Sequence, residues 1–277
     1  MRTKKGFPVL TFSLAAVLAL LFLFPLYWML ATSLKLNYKT TIWPPDIFPR
    51  PLTLANYGAI LQNTVDTPVL RWFMNSLVAA TGFTVGAVGV SSLAAYALSR
   101  LRFAGRDAYF WLCLASMVIP GIIFLIPNYL TVNTLGWIDT YPALIFPGLA
   151  ATSGVFLMRQ YFLGIPTDLE DAARIDGAGR LGIFVHVVLP ASKAVLLTFG
   201  LMSFLGNWND YLWALIVTST PQMRTLPVGI LTLQGRYIHL YGNMMAGGFL
   251  TALPAMLLFL FVQRYFVKGI VMTGLKS

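Results

Sequence analysis

What most constrains this chain is where its charges are missing. Uncharged stretches run from Gly6 to Leu34, Trp72 to Ser99, Ala108 to Ile138, Thr140 to Met158, Ala194 to Asn209 and Tyr237 to Gln263. A spanning helix needs about 20 apolar residues to cross the hydrocarbon layer of a bilayer. The pattern therefore predicts an all-α integral membrane protein, a single transmembrane domain over residues 1–277. Trimmed at turn residues, its six spans fall near 10–31, 73–98, 109–130, 142–162, 192–218 and 243–264. Composition agrees: of 277 residues 58% are hydrophobic and 10% charged, against about 25% charged in a soluble domain. A water-soluble enzyme is excluded on that ground. The basic start (Arg2, Lys4, Lys5) resembles a signal peptide, but its apolar run exceeds the roughly 7–15 residues of a signal core, so it is read as a retained span. The single cysteine, Cys113, leaves no internal disulfide, and no Cys/His cluster has metal-ligand spacing.

Orientation follows from the 19 basic residues. Six spans put both termini on one side, together with Arg100, Arg102, Arg106, Arg159, Arg174, Arg180 and Lys193. Thirteen of the basic residues belong to that side, and six (Lys35, Lys39, Arg50, Arg71, Arg224, Arg236) to the other. The richer side is expected to be cytoplasmic. The same scatter over short loops accounts for the net charge of +10 without nucleic acid, which would call for a clustered basic patch.

Two connections are long. The external one, residues 33–71, has a Pro-rich stretch (Pro44, Pro45, Pro49, Pro51) followed by a helix-like run from Thr53 to Leu61. The internal one, residues 163–190, carries Asp168, Glu170, Asp171 and Asp176. Pro166 and Thr167 open a helix there, and Thr167 with Glu170 has the spacing of a capping box. Gly177 supplies a left-handed stop, and Pro190 breaks the chain before the fifth span. Leu169, Ala172 and Ala173 are expected on one face and Arg174 on the other. At about 14 Å this helix is too short to span. Its small-residue face and flanking acids suit a docking partner, with Glu170, Asp171, Ala172, Ala173, Asp176 and Gly177 as the contact residues.

The loop resembles the EAA signature of permease subunits of ATP-binding-cassette importers. That signature has an acid, two alanines, a glycine four positions after the second alanine, and later an apolar-x-Leu-Pro. Asp171, Ala172, Ala173, Gly177, Val187, Leu189 and Pro190 occupy those positions, and Ile175, Asp176 and Ala178 complete the Ile-Asp-Gly-Ala run of sugar importers. Asp171 stands where Glu is usual, and Val187 where Ile is. The Pro-rich segment before Asn56 and Tyr57, the Asn75-Ser76 pair, residues Gly206 to Tyr211 and the tail from Gly269 to Ser277 are similar to the shorter, second permease of maltose-type carbohydrate importers. The resemblance implies a transmembrane subunit, not an enzyme, that translocates a sugar or sugar-like solute by alternating access. It implies partners too: a second permease in a heterodimer, two copies of a cytoplasmic ATPase docked on the EAA loops, and an extracytoplasmic solute-binding protein. The implied location is a bacterial or archaeal inner membrane, with cytoplasmic termini. No cofactor is expected in this chain, since ATP and Mg belong to the ATPase. No Gly-x4-Gly-Lys-Ser/Thr occurs in the sequence.

At membrane depth Asp210 is the only acid within a span, a functional candidate because an unpaired carboxylate there is costly. The alternative is a hydrated residue near the external helix end. Asn207, Asn209 and Tyr211, with Trp208, combine amides and aromatic faces suited to a sugar ring, or form an interfacial belt. In maltose-type importers the intramembrane sugar site lies mainly in the larger permease, which favours the belt. Asn207, Asn209, Asp210 and Tyr211 are the candidate translocation path. Gly82, Gly86 and Gly89 approximate small-xxx-small helix packing, and His186 and His239 are read as plain polar residues. The competing function is an ion-coupled secondary transporter using Asp210.

Overall fold

The computed structural model of the chain describes residues 9–62, 67–236 and 240–273. The basic start (Arg2, Lys4, Lys5), His239 and the last four residues of the tail lie outside the described residues, as do the side chains of Arg236, Arg264 and Lys268. Every regular element among the described residues is helical. Three helices are long and apolar enough to cross a membrane: α1 (Val9–Ser33), α3 (Val69–Arg100) and the Tyr241–Leu260 part of α14 (Tyr241–Thr273). Two bent pairs bring the number of candidate spans to as many as five. The chain is thus an all-helical integral membrane protein. It divides into two compact units, Met1–Leu70 with Gly229–Pro254, and Arg71–Val228 with Ala255–Ser277.

In the first unit α1 is apolar all round, and only its last turn, Ala31 to Ser33, is buried. The chain then makes a 3-10 turn over Asn37–Thr41 and reaches α2 (Ala55–Gln62), close to the expected Thr53–Leu61. Three asparagines fasten this segment. The Asn37 Nδ2 donates to Asn56 Oδ1 at 3.0 Å and to Asn243 Oδ1 at 3.2 Å, while Asn56 Nδ2 donates to the carbonyls of Ser33 and Lys35, 2.7 Å each. Asn56 and Asn243 are each 2% exposed, so every amide hydrogen bond matters. Gly242 lies against them: a Cβ there would come within 2.5 Å of Asn56 Nδ2.

The second unit shows where the simple reading of spans stops. The stretch read as 109–130 is two helical parts: α4 (Arg106–Ser116), then a 3-10 turn leading into α5 (Leu125–Thr134), bent by 92°. Pro120, with ψ 127°, cannot continue the helix and has no N–H to give it. The stretch read as 142–162 is α6 (Tyr141–Ile145) and α7 (Thr152–Leu163), separated at Pro147 and Gly148, whose φ is +85°. The stretch read as 192–218 is α11 (Lys193–Trp208) and α12 (Leu212–Val217), parted at Asn209 and Asp210. Before them, α8 (Asp168–Ile175) is followed by a helix Arg180–Ala191, made of α9 (Arg180–Ile183), a π-turn and α10 (Leu189–Ala191). This helix meets α11 at 80°, so the break expected at Pro190 falls at Ser192. α13 (Leu226–Arg236) is a helix the charge pattern did not suggest.

Packing explains the glycines of α3. A Cβ on Gly82 would sit 2.9 Å from Ile145, and one on Gly86 2.8 Å from Leu149, whereas Gly89 faces open space. The first two let the broken α6–α7 segment approach α3 closely. The main core joins Tyr96, Met158, Phe162, Ile183, Phe184 and Phe199. There a Cβ built on Gly154 of α7 would come within 2.3 Å of the Phe199 ring edge. Gly154→Ala gains about 1 kcal/mol of helix propensity but overpacks a core ring at a cost of about 1–3 kcal/mol. The variant is therefore expected to unfold at a lower temperature in detergent; an unchanged or higher midpoint would refute this close packing.

Candidate functional site

The short helix α8 starts without its expected cap. Thr167 has φ −66° and ψ −25°, already helical, and its side chain makes no capping hydrogen bond. The capping box between Thr167 and Glu170 is thus not formed, because Glu170 is drawn the other way. Its Oε1 lies 2.6 Å from Arg100 Nε, with both side chains almost fully buried. The N–H points past the oxygen, so the contact is a close ion pair rather than a linear hydrogen bond. Arg100 Nη2 also donates to the carbonyls of Phe162 and Ile165, 2.7 Å each, at and just beyond the end of α7; the Phe162 oxygen accepts the Ile165 N–H at 3.0 Å as well. One guanidinium therefore joins the end of α3, the end of α7 and the first turn of α8.

The other end of α8 is as expected. Gly177 has φ +85°, its N–H bonds to the Arg174 carbonyl at 3.0 Å, and the Ala178 N–H reaches the Ala173 carbonyl at 2.9 Å. These two bonds form a Schellman stop, and the positive φ is why glycine is needed. Between the ends the candidate docking residues divide. Glu170 faces inward at 2% exposure, and Ala173 is half-buried against the core, so the two alanines do not share a face. Asp171, Ala172, Asp176 and Gly177 are exposed, and Leu169 and Ile175 join them at 51% and 87% exposure. Arg174 closes on Asp171 at 2.5 Å. His186 is exposed, with Nδ1 3.0 Å from the Gly182 carbonyl.

At the break between α11 and α12 a cavity of about 660 Å³ opens, with Ser203, Asn207, Asp210 and Trp213 among its lining. Asn207 Nδ2 donates to the Leu144 carbonyl at 3.2 Å, and Trp213 Nε1 to the Ala143 carbonyl at 2.9 Å. Both satisfy backbone groups that the short α6 leaves free. Asp210 Oδ1 accepts the Trp213 N–H at 3.1 Å and so caps α12. Of the four candidate path residues, Asn207 and Asp210 line the cavity. Asn209 instead bonds back to the Leu205 carbonyl, and Tyr211 packs in the cluster of Val132, Leu144 and Val217.

Two clasps have partners that the reading of residue patterns did not assign, although the Asn75-Ser76 pair itself was singled out. Asp139, with φ +64°, accepts the N–H groups of Ser219 and Thr220 at 2.8 and 3.0 Å on Oδ1, and the Thr220 hydroxyl at 2.7 Å on Oδ2. Burial alone would push its carboxyl up, but the bonds from Thr220 and Ser219 outweigh it and hold the pKa below the usual carboxylate value. A carboxyl with a lowered folded pKa stabilises above its unfolded pKa, and that stability fades as pH falls through the folded value. Wild type should therefore melt above Asp139→Asn at neutral pH, and the gap should close below about pH 4; a gap constant across that range would overturn the clasp. The second clasp is Asn75, 1% exposed, which donates to the carbonyls of Gln222 and Arg224 and accepts the Tyr141 hydroxyl at 2.7 Å. Its neighbour Ser76 accepts the Leu226 N–H at 2.8 Å. A buried asparagine at a helix entrance must find partners, and that was the available signal.

Comparison with known proteins places this arrangement. Residues 87–271 match the family model described as binding-protein-dependent transport system inner membrane component. The chain is 36% identical, over 99% of both chains, to the arabinooligosaccharides transport system permease protein AraQ of Halalkalibacterium halodurans. It is 33% identical, over 97% of both, to the sn-glycerol-3-phosphate transport system permease protein UgpE of Yersinia pestis. Its fold superposes with TM-score 0.78 and 24% identity on a chain of a bacterial ABC transporter involved in the import of the acidic polysaccharide alginate, covering 96% of this chain and 98% of that one. The chain belongs to the family of inner membrane components of binding-protein-dependent transport systems.

Proposed function

We propose that this protein is one of two permease subunits of an ATP-driven importer, that α8 is its coupling helix, and that its cargo is a sugar or sugar-like solute moved by alternating access. The observation that carries the reading is the state of α8: pinned from behind by Arg100, stopped at Gly177, and uncovered over Leu169, Ala172, Ile175 and Asp176. A rigid short helix with an uncovered mixed face is what a groove on a separate ATPase can grip. On this reading the two bent pairs and α6–α7 complete six spans, and α8 is cytoplasmic with both termini. The cargo class rests on relatives named for arabinooligosaccharides and sn-glycerol-3-phosphate. The partners are a second permease, two ATPase copies binding ATP and Mg, and an extracytoplasmic solute-binding protein; one solved relative is an alginate transporter in complex with its periplasmic protein.

Purification in mild detergent should bring down an ATPase and a second permease, and their absence from an intact preparation would reject the reading. Asp210 separates it from an ion-coupled carrier. With ATP inside sealed vesicles, the binding protein outside, and labelled arabinooligosaccharide or sn-glycerol-3-phosphate as probe, uptake should survive an uncoupler. Asp210→Asn retains an acceptor for the Trp213 N–H, whereas Asp210→Leu loses the cap, worth about 0.5–2 kcal/mol. Asp210→Leu should therefore be the more damaging. Uptake abolished by the uncoupler, or by Asp210→Asn alone, would favour the ion-coupled carrier.

A further inference from the structure

A second, polar cavity of about 740 Å³ lies between the end of α3, the turn into α4 and α8. Five arginines line it, Arg100, Arg102, Arg106, Arg174 and Arg180, against two acids, Glu170 and Asp171. Three of the arginines are neutralised: Arg100 by Glu170, Arg174 by Asp171, and Arg106 by Asp107 at 3.1 Å. Arg102 and Arg180 are exposed and form no ion pair among the described residues. The Thr167 hydroxyl, free of any capping bond, lines the same cavity. Two unmatched guanidiniums and a hydroxyl make a site for one anion rich in oxygen acceptors, since arginine forks match phosphate bidentately.

Position narrows the choice of anion. α3 is a candidate membrane span whose last residue is Arg100, so the cavity lies at the end of a span, where the chain leaves its apolar stretch. A shallower cavity of about 420 Å³ shares Arg102 and Arg106 and adds Phe103, Gly105, Ala108 and Asp107, an acid held by Arg106 at 3.1 Å and Arg159 at 3.6 Å, carrying the groove onto α4. There Tyr109, Trp111 and Leu112 are 58%, 68% and 68% exposed. A basic pocket that continues into an uncovered apolar and aromatic surface fits an amphiphile, with the headgroup in the pocket and the chains beyond it. A free phosphate ion or an acidic peptide would gain nothing from that apolar extension. We propose that this cavity binds the phosphate of an anionic phospholipid headgroup through Arg102 and Arg180, with the acyl chains lying along α4.

The test uses the full-length chain, with any subunits that purify with it, in nanodiscs of phosphatidylcholine alone or mixed with phosphatidylglycerol. Retained lipid is counted by native mass spectrometry. Phosphatidylglycerol should be retained preferentially, and Arg102→Gln with Arg180→Gln should weaken retention about thirty-fold, from two basic contacts of about 1 kcal/mol each. The corresponding double lysine variant should keep most of the preference. Lys193→Gln, an exposed charge outside the cavity, should leave it unchanged. The melting point of each variant in phosphatidylcholine discs checks that it is folded. No preference for phosphatidylglycerol, a preference that survives the double glutamine variant, or an equal loss with Lys193→Gln would overturn the site. Millimolar inorganic phosphate stabilising the chain in phosphatidylcholine discs as much as phosphatidylglycerol does would assign the cavity to a free anion and overturn the lipid.

Discussion

Arg100→Ala is expected to lower the stability of the folded chain by about 3–5 kcal/mol, because it leaves Glu170 as an uncompensated buried charge. It also strips a donor from the carbonyl of Ile165, an acceptor whose loss of a partner costs about 1–3 kcal/mol, whereas the Phe162 carbonyl keeps the Ile165 N–H. A buried ion pair replaced by apolar residues of similar size is often neutral. Arg100→Met with Glu170→Met should therefore recover much of the loss, but not the part owed to the Ile165 carbonyl. Thermal unfolding in detergent of wild type, Arg100→Ala and the double variant gives the comparison. A double variant as unstable as Arg100→Ala would mean that the pair is not what holds α8.

Ala172→Asp and Gly177→Pro should each abolish uptake while the chain still inserts and folds, since both positions are exposed. Ala172 stands on the open side of α8, where a substitution typically changes stability by no more than about 0.5 kcal/mol. A carboxylate there would nevertheless prevent close approach of a partner. Gly177→Pro acts on the backbone: proline holds φ near −65°, whereas Gly177 sits at +85°, and it removes the N–H that bonds to Arg174. The helix then loses its stop and its outer face turns away. Membrane fractions would be assayed for the chain, and vesicles for uptake and transport-coupled ATP hydrolysis. Wild-type rates in both variants would sink the docking assignment.

The membrane class of the chain was legible because charge is excluded from hydrocarbon, and that exclusion is written directly into the residue string. The breaks were harder to see. Pro120 and Pro147 sit in runs that remain apolar on either side, and composition does not say whether a proline kinks a helix or ends it. Asn209 and Asp210 were singled out for their chemistry, yet the flanking Asn207 and Trp213 hold carbonyls of α6 across the break they occupy, a tertiary fact. The reading of α8 was right about Gly177, whose requirement is local, and wrong about Thr167. Spacing pairs Glu170 with Thr167, but Arg100, seventy positions earlier in the chain, competes for the carboxylate with a full charge and wins. Asp139 was invisible for the same reason: its partners, Ser219 and Thr220, are eighty positions away.

The first helix has a mechanical meaning of its own. α1 is a cantilever: Ser33 is fixed to the Tyr57 hydroxyl at 2.8 Å and Ala31 to Ser33 are buried, while residues 11–25 touch little of this chain. Residues 11–25 are exposed, and the Tyr27 hydroxyl bond to the Ile47 carbonyl at 2.9 Å is the outermost hydrogen-bonded tie of the helix among the described residues. Hydrophobic stretches of this kind adjust their tilt to the thickness of the bilayer, at fractions of a kcal/mol per ångström of mismatch. The exposed stretch of α1 is therefore expected to lean further in thin membranes than in thick ones.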